Sequence, residues 1–279
     1  MAVKQSRVGH VLRWVVLALA ALITLLPLYW LLITALKPAT ELQSVTPTLY
    51  PHDPTTEHFS ALFGADGFGQ NLLNSLVVVV VSVAVALPIG TLAAYALARM
   101  RLLGGSNQGL SLGILAVRML PPVLLIVPVY LVIVSLDLFD TRLGLIAVYV
   151  PLNLPFVIWM MESFIRELPV ELEEAAMTDG ASRMRALRTV VLPLLGPALA
   201  TTAILAVIFT YNEFLLALVL TATQRSATVT AGAATLLGRS GADFGTLAAV
   251  GLIGLVPIAL FVLFAQRHLV RGLTMGSFR

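Results

Sequence analysis

The segment ELPVELEEAAMTDGASRMRALRTVVLP, residues 167–193, interrupts a chain that is otherwise close to continuously apolar, and its reading decides the rest. Glu167, Glu171, Glu173, Glu174 and Asp179 place five of the chain's fourteen acids within thirteen residues. Pro169 can occupy the first turn of a helix, where its missing N–H costs nothing, and Glu171, Glu173 and Glu174 then lie near that helix's positive end. Gly180 fits the position just past the last turn, and Ser182 can cap a second helix running towards Leu192 and Pro193. Leu172, Ala175, Ala176 and Asp179 recur at three-to-four spacing, so one side of the first helix carries two adjacent methyl-sized residues that let another backbone come close. On periodicity alone the segment is either an ordinary charged loop between two membrane spans or a docking element.

Composition frames it independently. With 59% hydrophobic and 11% charged residues and a mean hydropathy of +0.97, a 279-residue chain is too apolar for a soluble globule and reads as a polytopic membrane protein. A net charge of +3 gives no basic field for nucleic acid. The chain has no cysteine, so disulfides and thiol chemistry are excluded. His10, His52, His58 and His268 are scattered and suggest neither a metal cluster nor a nucleophile–base pair. No glycine-rich loop carries the Lys and Ser/Thr of a nucleotide site, so ATP hydrolysis is not expected in this chain.

Six apolar runs are expected to span the membrane. They cover residues 11–36, 71–97, 110–136, 143–161, 195–221 and 245–269, and the third is expected to hinge at Pro121 and Pro122. The first is too long for a signal-peptide core and lacks a persuasive cleavage site. Residues 37–70 read as a turn-rich loop, and residues 222–244 as a loop, a short helix or a partial re-entry. If the amino terminus is cytoplasmic, Lys4, Arg7, Arg13, Arg99, Arg101, Arg166, Arg183, Arg185, Arg188, Arg267, Arg271 and Arg279 lie inside, and Lys37, Arg142, Arg225 and Arg239 outside. Twelve against four satisfies the positive-inside rule, and an even number of spans keeps both termini cytoplasmic.

Two ionisable groups fall inside the runs. Glu213, beside Tyr211 and Asn212, should face the bundle interior, a companion subunit or a water-filled path, because a carboxylate is costly in lipid. It serves either a structural hydrogen bond or the translocation path. Arg118 is expected to snorkel to the cytoplasmic face. Tyr130, Asn153 and Trp159 are further candidates for polar or stacking contact with a solute, the two aromatics also being suited to interface anchoring.

Glu174-Ala175-Ala176, then Gly180, then Leu192-Pro193 with Pro197 behind, resembles the signature cytoplasmic loop of permease subunits of binding-protein-dependent ABC importers, and its longer form the carbohydrate, maltose-type branch. Leu36-Lys37-Pro38 with Pro47, Pro51, Thr55 and Phe59 is similar to that branch's first external loop, and Arg271-Gly272-Leu273-Thr274 to its terminal segment, so the resemblance covers essentially the whole chain. It implies an all-α, polytopic membrane helix bundle of six transmembrane helices with the type I ABC importer permease fold. Residues 1–279 would form one permease domain, with an external loop at 37–70 and a cytoplasmic coupling segment at 164–190. Glu173, Glu174, Ala175, Ala176, Asp179, Gly180, Leu192 and Pro193 would couple to an ATPase, while Tyr130, Asn153, Tyr211, Asn212 and Glu213 are candidates for the path. The implied activity is sugar import across a bacterial or archaeal cytoplasmic membrane by a non-enzymatic subunit. The implied partners are a companion permease, two ATP-binding cassette ATPases that hold the ATP and magnesium, an external solute-binding protein, membrane lipid and the sugar. Alternatives are an ABC permease for a polyol, a glycerol phosphate derivative or a peptide, and a secondary transporter using Glu213 as a proton-coupled carboxylate.

Overall fold

The computed structural model describes residues 7–44, 46–64, 67–100, 107–240 and 243–275, and the regular structure among them is entirely helical. In chain order the helices begin with α1 (Arg7–Leu36), α2 (Ala39–Leu42), α3 (Glu57–Phe63), α4 (Phe68–Arg99) and α5 (Asn107–Met119). There follow α6 (Pro122–Ser135), α7 (Arg142–Glu167), α8 (Glu171–Thr178) and α9 (Arg183–Ala186), which runs into a π-helical turn, Leu187–Val191. The chain continues with α10 (Leu192–Leu194), α11 (Gly196–Tyr211), α12 (Leu215–Leu220), α13 (Val229–Ser240) and α14 (Phe244–Met275). Four of these are long and apolar enough to cross a membrane, and two bent pairs raise the number of spans to as many as six. The last four residues of the carboxy-terminal segment, 276–279, lie outside the described residues.

The chain divides into two compact units, Met1–Gly67 with Thr235–Val256, and Phe68–Ala234 with Pro257–Arg279. In the first unit α1 leaves most of its large apolar side chains exposed, among them Leu19, Leu22, Ile23 and Leu26, as a helix does when lipid is its solvent. The connection after α1 is ordered by polar contacts. Lys37 is buried and donates from Nζ to the Thr48 carbonyl. His58 is buried too, with one ring nitrogen 2.9 Å from the Lys37 carbonyl and the other 3.3 Å from the Thr246 hydroxyl.

In the second unit α4 and α7 form the central pair. Gly90 allows a close approach between them, since a Cβ there would lie 2.5 Å from Cγ1 of Val157. Around them Tyr95, Phe156, Val157, Met161, Ile165 and Leu187 are buried in one core. A second core gathers Val78, Leu145, Tyr149, Leu216 and Leu220.

The sequence expectation of a hinge in the third run is realised as an 88° bend between Gly109–Met119 and Pro122–Ser135. Pro121 and Pro122 lack N–H groups, and a proline disfavours helical backbone at the residue before it. A second bend, of 75°, separates Arg183–Leu194 from Gly196–Tyr211. The fifth run was expected to be continuous over 195–221, but the helix stops after Tyr211. The Glu213 carboxylate accepts hydrogen bonds from the amides of Leu216 (3.0 Å) and Ala217 (3.1 Å), so it caps a new helix, α12, instead of continuing the old one. Of the alternatives for residues 222–244, the helical one is present as α13. Its approach is tied to α4 by Asn74, whose amide donates to the carbonyls of Gln224 (2.9 Å) and Ala227 (2.8 Å), and by Ser75, whose hydroxyl accepts from the Val229 amide (2.8 Å).

Candidate functional site

The acidic segment folds as a short capped helix. Its regular turns start at Glu171, so Pro169 precedes α8 instead of occupying its first turn. Gly180 has φ +89°, its amide donates to the Met177 carbonyl (3.0 Å), and the Ala181 amide donates to the Ala176 carbonyl (3.0 Å). This pair of bonds is a Schellman termination, which needs a left-handed residue at the glycine position. Two residues on, the Ser182 hydroxyl accepts from the Arg185 amide (3.3 Å) and opens α9.

One of the three early glutamates does not face outward. Glu173 is 3% exposed; its carboxylate accepts from the Tyr95 hydroxyl (2.6 Å) and from Nε of Arg99 (2.6 Å). Arg99 also donates from Nη2 to the Leu168 carbonyl (2.7 Å), so one side chain at the end of α4 holds both the end of α7 and the first turn of α8. Such a desolvated, charge-assisted pair is short and geometrically demanding. With Glu173 turned inward, Leu172, Glu174, Ala175, Asp179, Gly180 and Pro193 remain exposed, whereas Ala176 and Leu192 are half-buried.

A cavity of about 280 Å³ opens among α5, α6, α7 and α11, lined by Arg118, Tyr149, Asn153, Phe209, Thr210 and Glu213 together with apolar side chains. Tyr149 donates to Glu213 (2.6 Å), and the Asn153 amide donates to the Tyr149 carbonyl (2.8 Å) and the Thr210 hydroxyl (2.9 Å). Glu213 thus makes the structural hydrogen bonds that fix the helix break, and it also lines the cavity. Arg118, expected from sequence to snorkel, is exposed and lies against two aromatic rings. Its guanidinium lies 4.9 Å from the Phe156 ring centroid and 5.0 Å from that of Phe209, and these two rings pack edge to face at 5.1 Å.

Among the path candidates, Asn153 and Glu213 line this cavity. Tyr211 is buried, Asn212 is exposed and donates to the Ile208 carbonyl (2.8 Å), and Tyr130 packs edge-on against Phe139; none of the three lines it. Tyr149, Phe209 and Thr210 were not singled out from sequence. Trp159 lines a separate cavity of about 380 Å³ with Ser111, Glu162 and Arg166. Among the described residues no group of three or more His, Cys, Asp or Glu is placed to hold a metal ion.

The fold is that of type I ABC-importer permeases. It aligns with a chain of a bacterial ABC transporter involved in the import of the acidic polysaccharide alginate at a TM-score of 0.72, covering 96% of this chain and 98% of that one at 22% identity. It also aligns with a chain of the MetNI methionine ABC transporter at 0.59, covering 72% and 94% at 20% identity. These identities speak for the fold alone. Residues 86–275 match the model of binding-protein-dependent transport system inner membrane components, and the chain belongs to that family. It is 37% identical over 256 residues to the trehalose transport system permease protein SugB of Mycobacterium tuberculosis, covering 91% of this chain and 92% of that protein. To the diacetylchitobiose uptake system permease protein DasC of Streptomyces coelicolor it is 34% identical over 251 residues, covering 90% of each. To the trehalose/maltose transport system permease protein MalG of Thermococcus litoralis the figures are 32%, 264 residues and 94% of each. The chain is accordingly a non-catalytic, polytopic inner-membrane subunit that mediates solute import as part of an ABC transporter.

Proposed function

We propose that the solute is a sugar and that the chain is one of two permeases forming its path, with residues 1–279 acting as a single permease domain. Two ATPases, which hold ATP and magnesium, sit below, and an external binding protein delivers the sugar. The relatives named for trehalose, diacetylchitobiose and maltose transport support the solute class. Both termini and residues 164–190 are cytoplasmic in this reading, and residues 37–70 are external, in line with the distribution of arginine and lysine.

The observation that carries the coupling role is the anchoring of α8 by Glu173 to Arg99 and Tyr95, which leaves Glu174, Ala175, Asp179 and Gly180 presented outward on a fixed base. ATP-driven closure of the ATPases moves α8, and the anchor passes that movement to α4 and α7, switching the path between inward-facing and outward-facing states. Glu213 has both carboxylate oxygens engaged by protein donors, which disfavours its use as a proton carrier in a secondary transporter.

The test uses the reconstituted complex. Gly180→Val forces a β-branched residue to φ +89°, and Ala175→Trp puts a large ring on the exposed face. Both variants should insert and pair with the companion permease, yet lose the ATPase or its stimulation by the binding protein. Normal subunit stoichiometry together with normal stimulated hydrolysis in both refutes the coupling assignment.

A further inference from the structure

Arg118 stands apart from every other polar group in the cavity. The Tyr149 hydroxyl is committed to Glu213, the Asn153 amide to Tyr149 and Thr210, and the Thr210 hydroxyl to the Ala206 carbonyl (2.7 Å). Glu213 accepts from three donors. The contacts of the Arg118 guanidinium among the described residues are instead two aromatic faces. The two rings stand at 87° to one another, so the planar guanidinium can stack on at most one of them, and neither ring is a hydrogen-bond acceptor that takes up all of its N–H groups, which leaves donors available to a ligand. The rings hold the cation in place without neutralising it.

Resting on the permease reading above, we propose that Arg118 is a solute-selecting residue, and that the transported saccharide carries an anionic group, a carboxylate, sulfonate or phosphate, which Arg118 binds. A planar fork of donors meets two oxygens of such a group at once, whereas a hydroxyl meets one donor at a time. The apolar walls supplied by Leu120, Leu125 and Leu152 add no competing acceptor. The cavity also holds the Glu213 carboxylate, whose charge these neutral donors do not cancel, but its oxygens are already engaged by the protein, so the Arg118 guanidinium is the charged group left to hydrogen-bond a ligand. A saccharide acid entering it gains an ion pair with the guanidinium that a neutral sugar does not make.

The experiment measures uptake of a paired neutral and uronic-acid disaccharide of equal length into proteoliposomes that contain the complete complex and its binding protein. The wild type should take up the acidic member, and Arg118→Gln should lower the acidic-to-neutral uptake ratio at least tenfold. Arg118→Lys, which keeps the charge but loses the fork, should fall between the two. Wild-type uptake confined to the neutral disaccharide overturns the proposal, as does an equal loss of both solutes in Arg118→Gln, the result expected if Arg118 pairs with a carboxylate of the companion permease or a lipid phosphate. The permease reading fails separately, by a wild-type chain that recruits no ATPase and moves neither disaccharide.

Discussion

Arg99 reaches from the last turn of α4 to the Glu173 carboxylate in the first turn of α8, with Nε and Oε1 2.6 Å apart and both side chains at least nine-tenths buried. Removing one member of such a pair leaves the other charge buried without compensation, at a cost of about 3–5 kcal/mol. Arg99→Ala should therefore release α8 locally, and amide hydrogen exchange over residues 171–178 should accelerate by at least a hundredfold. Glu173→Gln keeps one acceptor oxygen for Arg99, and the Tyr95 hydroxyl can turn to accept from the new amide N–H, so its effect should be milder. Unchanged protection of α8 in Arg99→Ala would show that the pair does not anchor the helix.

Glu213 serves two structures, the cavity wall and the cap of α12. Glu213→Gln keeps the shape but replaces one acceptor oxygen with a donor, which the Tyr149 hydroxyl and two backbone amides do not satisfy together. Membrane abundance should be preserved while uptake falls several-fold. Wild-type uptake at matched abundance would remove any requirement for the charge.

Asp140, in the turn between α6 and α7, holds the strand of chain that follows α12. It accepts from the amides of Ala222 (2.9 Å) and Thr223 (3.0 Å) and from the hydroxyls of Thr223 (2.6 Å) and Ser226 (2.6 Å). Burial pushes its carboxyl up, but these four bonds outweigh burial and hold it below the usual carboxylate value. A depressed value means the clamp contributes in full above the unfolded carboxyl's pKa, about 3.9, and is lost as pH falls through the lower folded one. Protection factors of the Ala222 and Thr223 amides should be flat from pH 7 to pH 5 and drop only in stronger acid, and Asp140→Asn should lower them already at neutral pH. A decline centred near pH 6 would contradict the assignment.

The chain has no cysteine, so topology is readable from single substitutions without background. Of Thr46→Cys, Ser182→Cys and Ser277→Cys, only the first should react with an impermeant thiol reagent in intact cells. External labelling at position 277 would overturn the even number of spans.

Helix content and span number were legible because lipid imposes one rule on every run, that backbone groups be satisfied within the helix. The hinge at Pro121–Pro122 and the stop at Gly180 were legible for local reasons, a missing donor and a missing Cβ. What escaped was set by partners distant in the chain. Glu173 looks like its solvated neighbours Glu171 and Glu174 until Tyr95 and Arg99, one helical turn apart on α4, are seen as a polar patch at the end of an apolar run. The aromatic contacts of Arg118 escaped because Phe156 and Phe209 come from two other helices. The break at Asn212–Phe214 was hidden by apolar flanks, although a carboxylate three residues before Leu216 carries the spacing of a cap.

The π-helical turn Leu187–Val191 joins the opening of α9, after the capped end of α8, to the bend into α11. A π turn accommodates one more residue than an α turn, and each α-helical residue advances the phase by about 100°. Leu192–Leu194 is thus rotated by about that angle from where an unbroken α-helix starting at Arg183 would set it, and the 75° bend into α11 departs from this offset. Side-chain exchanges within the turn conserve the offset, whereas deleting a single residue there cancels it and changes the direction in which the bend sets out towards α11. The segment is therefore far less tolerant of a change in length than of a change in composition.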